Sequence, residues 1–234
     1  MGHSTAEPLK QRLASVQGQL LDACHRVGRA PDHITLIAVS KTRSSDEVAA
    51  LADLGQRDFG ENYAQEGIDK IAALAGRNLR WHFIGPIQSN KTRDIAEHFD
   101  WVHSVDRDKI ARRLNDQRPA RLPPLNVCIQ VNIDDEGSKS GASPAEVPAL
   151  AELITTLPRL RLRGLMAIPR PDSPDRGQAA FRRLAMTLSS LGNTIPRLDT
   201  LSMGMSDDFD VAVAEGATQI RIGTALFGSR PAKP

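Results

Sequence analysis

The feature that most constrains this chain is a repeated unit: a short apolar run, a polar break, then a stretch of helical periodicity. The first run, residues 34–39 (Ile34, Thr35, Leu36, Ile37, Ala38, Val39), is β-branched and apolar throughout and reads as a strand buried on both faces. Further strands are expected at 58–61, 79–84, 101–105, 125–133, 162–168, 200–205 and 219–222. Helices are expected between them at 63–75, 88–98, 107–116, 144–157, 175–191 and 207–215, and Ser44, Ser45, Asp46 and Glu47 offer a helix start before Val48, Leu51 and Leu54. An opening helix over 8–27 sets Leu9, Leu13, Val16, Leu20, Leu21 and Ala23 near helical spacing. Eight strands alternating with helices, without hairpin signals, predict parallel βαβ units closed into a single (β/α)8 TIM-type barrel with an extra N-terminal helix. A doubly wound open sheet is the alternative, and no glycine-rich dinucleotide fingerprint follows the first strand to favour it. The expected organisation is an N-terminal helix within 1–30, the barrel over 31–230 and a frayed tail at 231–234, with the Pro- and Ser-rich stretch 169–175 as a mobile surface loop.

Charge narrows the function classes. Thirty basic and 28 acidic residues leave a net charge of +2, no electrostatic reason for a nucleic-acid or membrane partner. No apolar run approaches the roughly 20 residues that cross a bilayer, and the first residues lack the apolar core of a secretory signal, so a cytoplasmic location is expected. Cys24 and Cys128 have neither a CxxC partner nor metal-ligand spacing and are expected to be buried and reduced. The six histidines show no HxxxH or HExxH pattern, so no metal site is expected. His82 and His103 fall within strands and read as satisfied core or mouth residues, and the acidic run 134–136 reads as a solvated loop.

In such a barrel function sits on the loops at the C-terminal ends of the strands. The first strand runs directly into Lys41. A lysine held at a desolvated barrel mouth has its charged form disfavoured, which frees the amine to attack a carbonyl; a snorkelling side chain is the plainer reading. The loops after strands seven and eight often hold phosphate in barrels. There Gly204 and Gly223 permit close backbone approach, and Ser206 and Thr224 supply hydroxyls. Ser206 is also placed to cap the following helix, and Asp207 and Asp208 would have to point away from a bound anion. Arg221 shares a strand face with Gln219 toward the interior, where it needs either a structural carboxylate or a ligand as its partner.

Taken together, the strand ends resemble the YggS-type pyridoxal phosphate homeostasis proteins. The matching segments are AVSKT (38–42), FGENY (59–63), WHFIGPIQSNK (81–91), HSVD (103–106), QVNIDDEGSKSG (130–141), GLMAIP (164–169), LSMGMSDDF (201–209) and RIGTALFG (221–228). Arg43 and Ser44 stand where many members carry proline, and Ile87 where leucine is usual. The resemblance implies a barrel like the N-terminal domain of alanine racemase, and pyridoxal 5'-phosphate (PLP) held as a Schiff base on Lys41. It implies that Ser206, Gly223 and Thr224 grip the phosphate and that Arg221 faces the ring nitrogen, with Asn62, Ser202 and Met205 lining the same pocket.

Carrying PLP does not decide between an enzyme and a carrier. A cationic Arg221 beside the ring nitrogen opposes its protonation and weakens the carbanion sink. A racemase also needs a second base, usually a tyrosine from another domain or subunit; Tyr63 is the one tyrosine here, and the sequence ends soon after the eighth unit. The expected function is therefore cofactor buffering or delivery with little or no catalysis, no catalytic residue being assigned. A single-domain amino-acid racemase is the alternative, and a Schiff-base aldolase without PLP a more remote one. Other B6 vitamers and transient contacts with PLP-dependent apoenzymes complete the expected partners of a monomer.

Overall fold

The computed structural model describes residues 6–134 and 140–229. The expected tail at 231–234, and residues 135 and 136 of the acidic run, lie outside the described residues. Eight parallel strands form one closed barrel in sequence order: β1 (Thr35–Val39), β2 (Asp58–Glu61), β3 (Arg80–Phe83), β4 (Trp101–Val105), β5 (Leu125–Gln130), β6 (Leu160–Met166), β7 (Thr200–Ser202) and β8 (Gln219–Ile222). β8 closes the ring on β1 with Thr35 opposite Gln219 and Ile37 opposite Arg221.

The outer helices are α1 (Ala6–Arg26), α2 (Ser45–Asp53), α3 (Ala64–Ala73), α4 (Thr92–His98), α5 (Asp108–Gln117), α6 (Val147–Thr155), α7 (Gln178–Gly192), α8 (Phe209–Ala214) and α9 (Thr224–Phe227). α1 lays Leu9, Leu13, Val16, Leu20, Ala23 and Cys24 on the barrel as one buried stripe at 3–4 residue spacing. α2 starts on a capping box: the Ser44 hydroxyl accepts from the Glu47 N–H, and the Glu47 carboxylate accepts from the Ser44 N–H. α9 has no counterpart in the hydrophobic pattern, because a single turn carries too few residues to show a period.

Most of the apolar core lies between strands and helices. Inside the ring, Trp101, Cys128 and Met166 form a separate apolar cluster. Polar side chains share that interior. Along β8, Ile220 and Ile222 face the outer core while Arg221 points inward, as period-two alternation requires. The same alternation sorts β1 by depth: Thr35 lines a cavity at the strand-start end, and Val39 and Lys41 line one at the strand-end mouth.

Candidate functional site

The strand-end mouth encloses a cavity of about 490 Å³, within the range of small-molecule pockets. Of the eight residues expected to form the site, seven line it: Lys41, Asn62, Met205, Ser206, Arg221, Gly223 and Thr224. They arrive from β7, β8, β1 and β2, four neighbours in the ring that are brought together by the closure of β8 on β1. Ser202 is not among the lining residues. It is fully buried, and its hydroxyl accepts from Arg221 Nη1 at 2.7 Å.

Lys41 is half-buried and its main chain is held from both sides. The Ser40 carbonyl accepts from the Lys70 ammonium at 2.6 Å, and the Thr42 N–H donates to Glu66 Oε1 at 2.5 Å. Lys70 also bonds Glu61 and Glu66, each at 2.7 Å, and the Ser40 hydroxyl donates to Glu61 at 2.6 Å. This clamp is what the linear pattern missed. Glu66 and Lys70 stand one helical turn apart on α3, an ordinary surface pairing by spacing, and only the fold turns it inward. Burial pushes the Glu61 carboxyl up against the Lys70 charge, and Glu61 Oε2 is buried without a partner among the described residues. Thr42 takes a left-handed φ of 64°, which is uncommon for a residue bearing a Cβ.

Arg221 is 4% exposed. Its hydrogen-bond partners among the described residues are the Ser202 hydroxyl and, at 3.0 Å from Nη2, the Ala167 carbonyl, rather than the structural carboxylate that the sequence also allowed. Burial lowers its pKa to about 10, with Asp208 acting against the shift, which leaves it cationic at neutral pH.

The turn after β7 departs from expectation at Ser206. The N-cap position of α8 belongs to Asp208, two residues later. Asp208 bends its carboxylate back to the Met205 N–H at 2.6 Å, and burial pushes its pKa up. Ser206 is thereby free of the helix end, and its hydroxyl instead accepts from the Ala225 N–H at 3.5 Å, tying the seventh turn to the eighth. Asp207 does line the cavity. Arg176 donates to the Asp207 carbonyl and pairs with Asp210 at 2.7 Å, fastening the β6 loop to this turn. Asp134 is likewise no solvated end: it accepts from the Arg170 N–H at 2.9 Å and pairs with Arg183 at 3.1 Å.

Val39, Arg43, Ile84, Ile168 and Ala225 complete the wall. Ile84 and Ile168 close the expected third and sixth strands, so their mouth position was readable. Arg43 was not, since its place depends on a bond to the Gly228 carbonyl at 2.6 Å across the ring closure. Among the described residues, no group of three or more His, Cys, Asp or Glu side chains is placed to hold a metal. No described helix is long and apolar enough to cross a membrane.

Residues 24–231 match the family model for the alanine racemase N-terminal domain. A pyridoxal phosphate homeostasis protein of Pseudomonas aeruginosa is 58% identical over 223 residues, covering 95% of this chain and 96% of that one. The protein of that name from Escherichia coli is 55% identical over 226 residues, covering 95% and 97%. The structure of PipY from Synechococcus elongatus with PLP bound matches with a TM-score of 0.82 and 38% identity, over 94% of this chain and all of that one. Alanine racemase from Corynebacterium glutamicum shares the fold alone, with a TM-score of 0.70 at 16% identity over 97% of this chain and 62% of its own. An eight-stranded ring with a lysine at its first strand end, matched along nearly its whole length by these relatives, places the chain in the pyridoxal phosphate homeostasis protein family, within the wider alanine racemase N-terminal domain family.

Proposed function

We propose that the chain binds PLP in the strand-end cavity, covalently through Lys41, and serves cofactor homeostasis in the cytoplasm by buffering or delivering it to apoenzymes. The observation that carries this is the convergence of an amine, a buried guanidinium and two hydroxyl-bearing turns on one cavity of about 490 Å³. Asp207, which lines the same cavity, is the one carboxylate set against an anion there; the other lining residues fit the ligand. Lys41 offers the nucleophile for an aldehyde. Ser206 and Thr224, with the Gly223 turn, offer hydroxyls and amides to an anion. Asn62, on the same wall, keeps a buried Oδ1 with no partner among the described residues. When bound, the pyridoxal ring supplies an electron sink. Arg221 would be the cation facing the ring nitrogen, where it would disfavour protonation and so blunt that sink. Tyr63, the one tyrosine of this chain, is 60% exposed and not among the lining residues, so it is not placed as a second base in this cavity, which favours a carrier.

The test is spectroscopic and chemical. Purified protein mixed with PLP should show the absorbance band of a lysine-linked cofactor, and borohydride reduction followed by peptide mapping should find the label on Lys41. Lys41→Ala should lose both. A label on Lys91 or Lys109, or rapid turnover of some D- or L-amino acid across a broad panel, would overturn respectively the site or the carrier reading.

A further inference from the structure

Beneath the cavity the barrel interior holds a line of polar side chains. Arg221 Nη1 donates to Ser202 Oγ at 2.7 Å, and Ser202 Oγ lies 2.8 Å from His103 Nδ1. His103 Nε2 lies 3.0 Å from His82 Nδ1, and His82 Nε2 lies 3.0 Å from Asp58 Oδ1. All five residues are buried. The line starts on the wall of the upper cavity. It ends on the wall of a second cavity of about 650 Å³ at the opposite end of the barrel, which Asp58 and His82 line.

The two ends fix the direction of every bond. A guanidinium can only donate and a carboxylate can only accept. Asp58 is ionised: burial works to raise its pKa, but hydrogen bonds from His82 and Arg80 outweigh that and hold it below the usual value. Burial, with the charges of His82 and Arg221, keeps His103 well below the ordinary imidazole range, so His103 is neutral with one N–H. When His82 is neutral, its Nε2–H goes to Asp58 and its Nδ1 must accept. His103 then donates from Nε2, accepts at Nδ1 from the Ser202 hydroxyl, and Ser202 accepts from Arg221. All four hydrogen bonds then point from the upper cavity to the lower.

We propose that Ser202, His103 and His82 are positioning residues for Arg221, and that the protonation of His82 at the lower mouth sets the polarity of the line. Charging His82 makes both of its nitrogens donors. His103 must then accept at Nε2 and donate from Nδ1, so Ser202 receives two donors and its own hydroxyl loses its acceptor in the line. The hold on Arg221 changes without any group moving past another. Facing His82 are Asp58 from β2 and His103 from β4, and across the lower cavity Arg80, paired to Asp58, with Arg29, His33, Arg163 and Asp199.

This deepens the reading of the upper cavity and rests on it only for the consequence to a bound ligand. The test therefore begins without ligand. Long-range ¹H–¹⁵N spectra of the ¹⁵N-labelled protein are followed from neutral to acidic pH. Expected are His103 as the Nε2–H tautomer at neutral pH, a switch to Nδ1–H as His82 charges, and Arg221 side-chain resonances that shift with the same midpoint. In Ser202→Ala, with fold checked by circular dichroism, Arg221 should stop following His82. An Nδ1–H tautomer of His103 at neutral pH, or Arg221 signals indifferent to His82 in the unsubstituted protein, would overturn the inference. A PLP-loaded sample adds the second arm. A cofactor band shifting with that midpoint supports the coupling. A band that stays fixed while the ligand-free coupling holds leaves this inference standing and removes Arg221 from the ligand.

Discussion

A Cβ built on Gly204 would lie 2.7 Å from the Ala212 Cβ and 3.0 Å from the Phe209 Cα, and the residue's φ is +94°. Space and backbone both demand glycine there, because the turn after β7 passes directly over α8. Its carbonyl accepts from the Arg221 N–H at 3.0 Å, so the turn and the guanidinium's strand move together. Gly204→Ala should cost about 1–3 kcal/mol through overpacking alone, more with the backbone strain, read as a lowered urea midpoint at unchanged slope. Not every residue of the site was equally legible. Lys41 and Arg221 stood out because a charged residue at the end of, or inside, an apolar strand is rare. The partners of Arg221 did not, since the Ser202 hydroxyl and the Ala167 carbonyl lie 19 and 54 residues away and nothing local marks them.

At the scale of elements, α3 is the part most entangled with the site. Its Lys70 satisfies two carboxylates and a carbonyl from a position 3% exposed. Lys70→Met would leave Glu61 and Glu66 facing one another without a cation. Breaking a buried pair in this way costs about 3–5 kcal/mol, and thermal unfolding should show it. Glu61 adds a pH dependence of known sign. Its folded pKa is raised above 4.5, so the folded state binds the extra proton, and its contribution to stability is lost as pH rises above 4.5 through the raised value. Urea titrations at a series of pH values should show unsubstituted protein losing stability relative to Glu61→Gln over that rise; a constant difference would contradict the assignment. The strands themselves were largely legible: 58–61, 101–105 and 219–222 agree with β2, β4 and β8. Where the pattern overran, at 131–133 beyond β5 and 203–205 beyond β7, apolar side chains (Val131, Ile133, Met203, Met205) continue past the regular strand into the mouth. Hydrophobicity cannot separate a strand from a buried strand-end loop.

For the whole molecule, closure leaves no edge unpaired among the described strands and encloses Cys128, while α1 buries Cys24 against the barrel. Burial pushes the Cys128 thiol up to about 12 and raises Cys24 as well. In the native state Cys128 should stay unmodified by a thiol reagent at pH 8, because the thiolate is the reacting form. Adding denaturant should release it in step with the loss of the far-ultraviolet signal. Labelling that precedes that loss would mean the ring opens locally around β5.

The pairing of β1 with β8 also has a meaning in time. The amine at position 41 and the turn at 223–224 are separated by most of the polypeptide, yet they share a wall only because the last strand returns to the first. A growing or truncated chain lacking β8 would carry the lysine but not the turn at 223–224. Whatever occupies this cavity can therefore be captured only once the ring has shut. Its binding free energy is added wholly to the finished state, by RT ln(1 + [L]/Kd), so occupancy doubles as a record that synthesis and folding have run to the end.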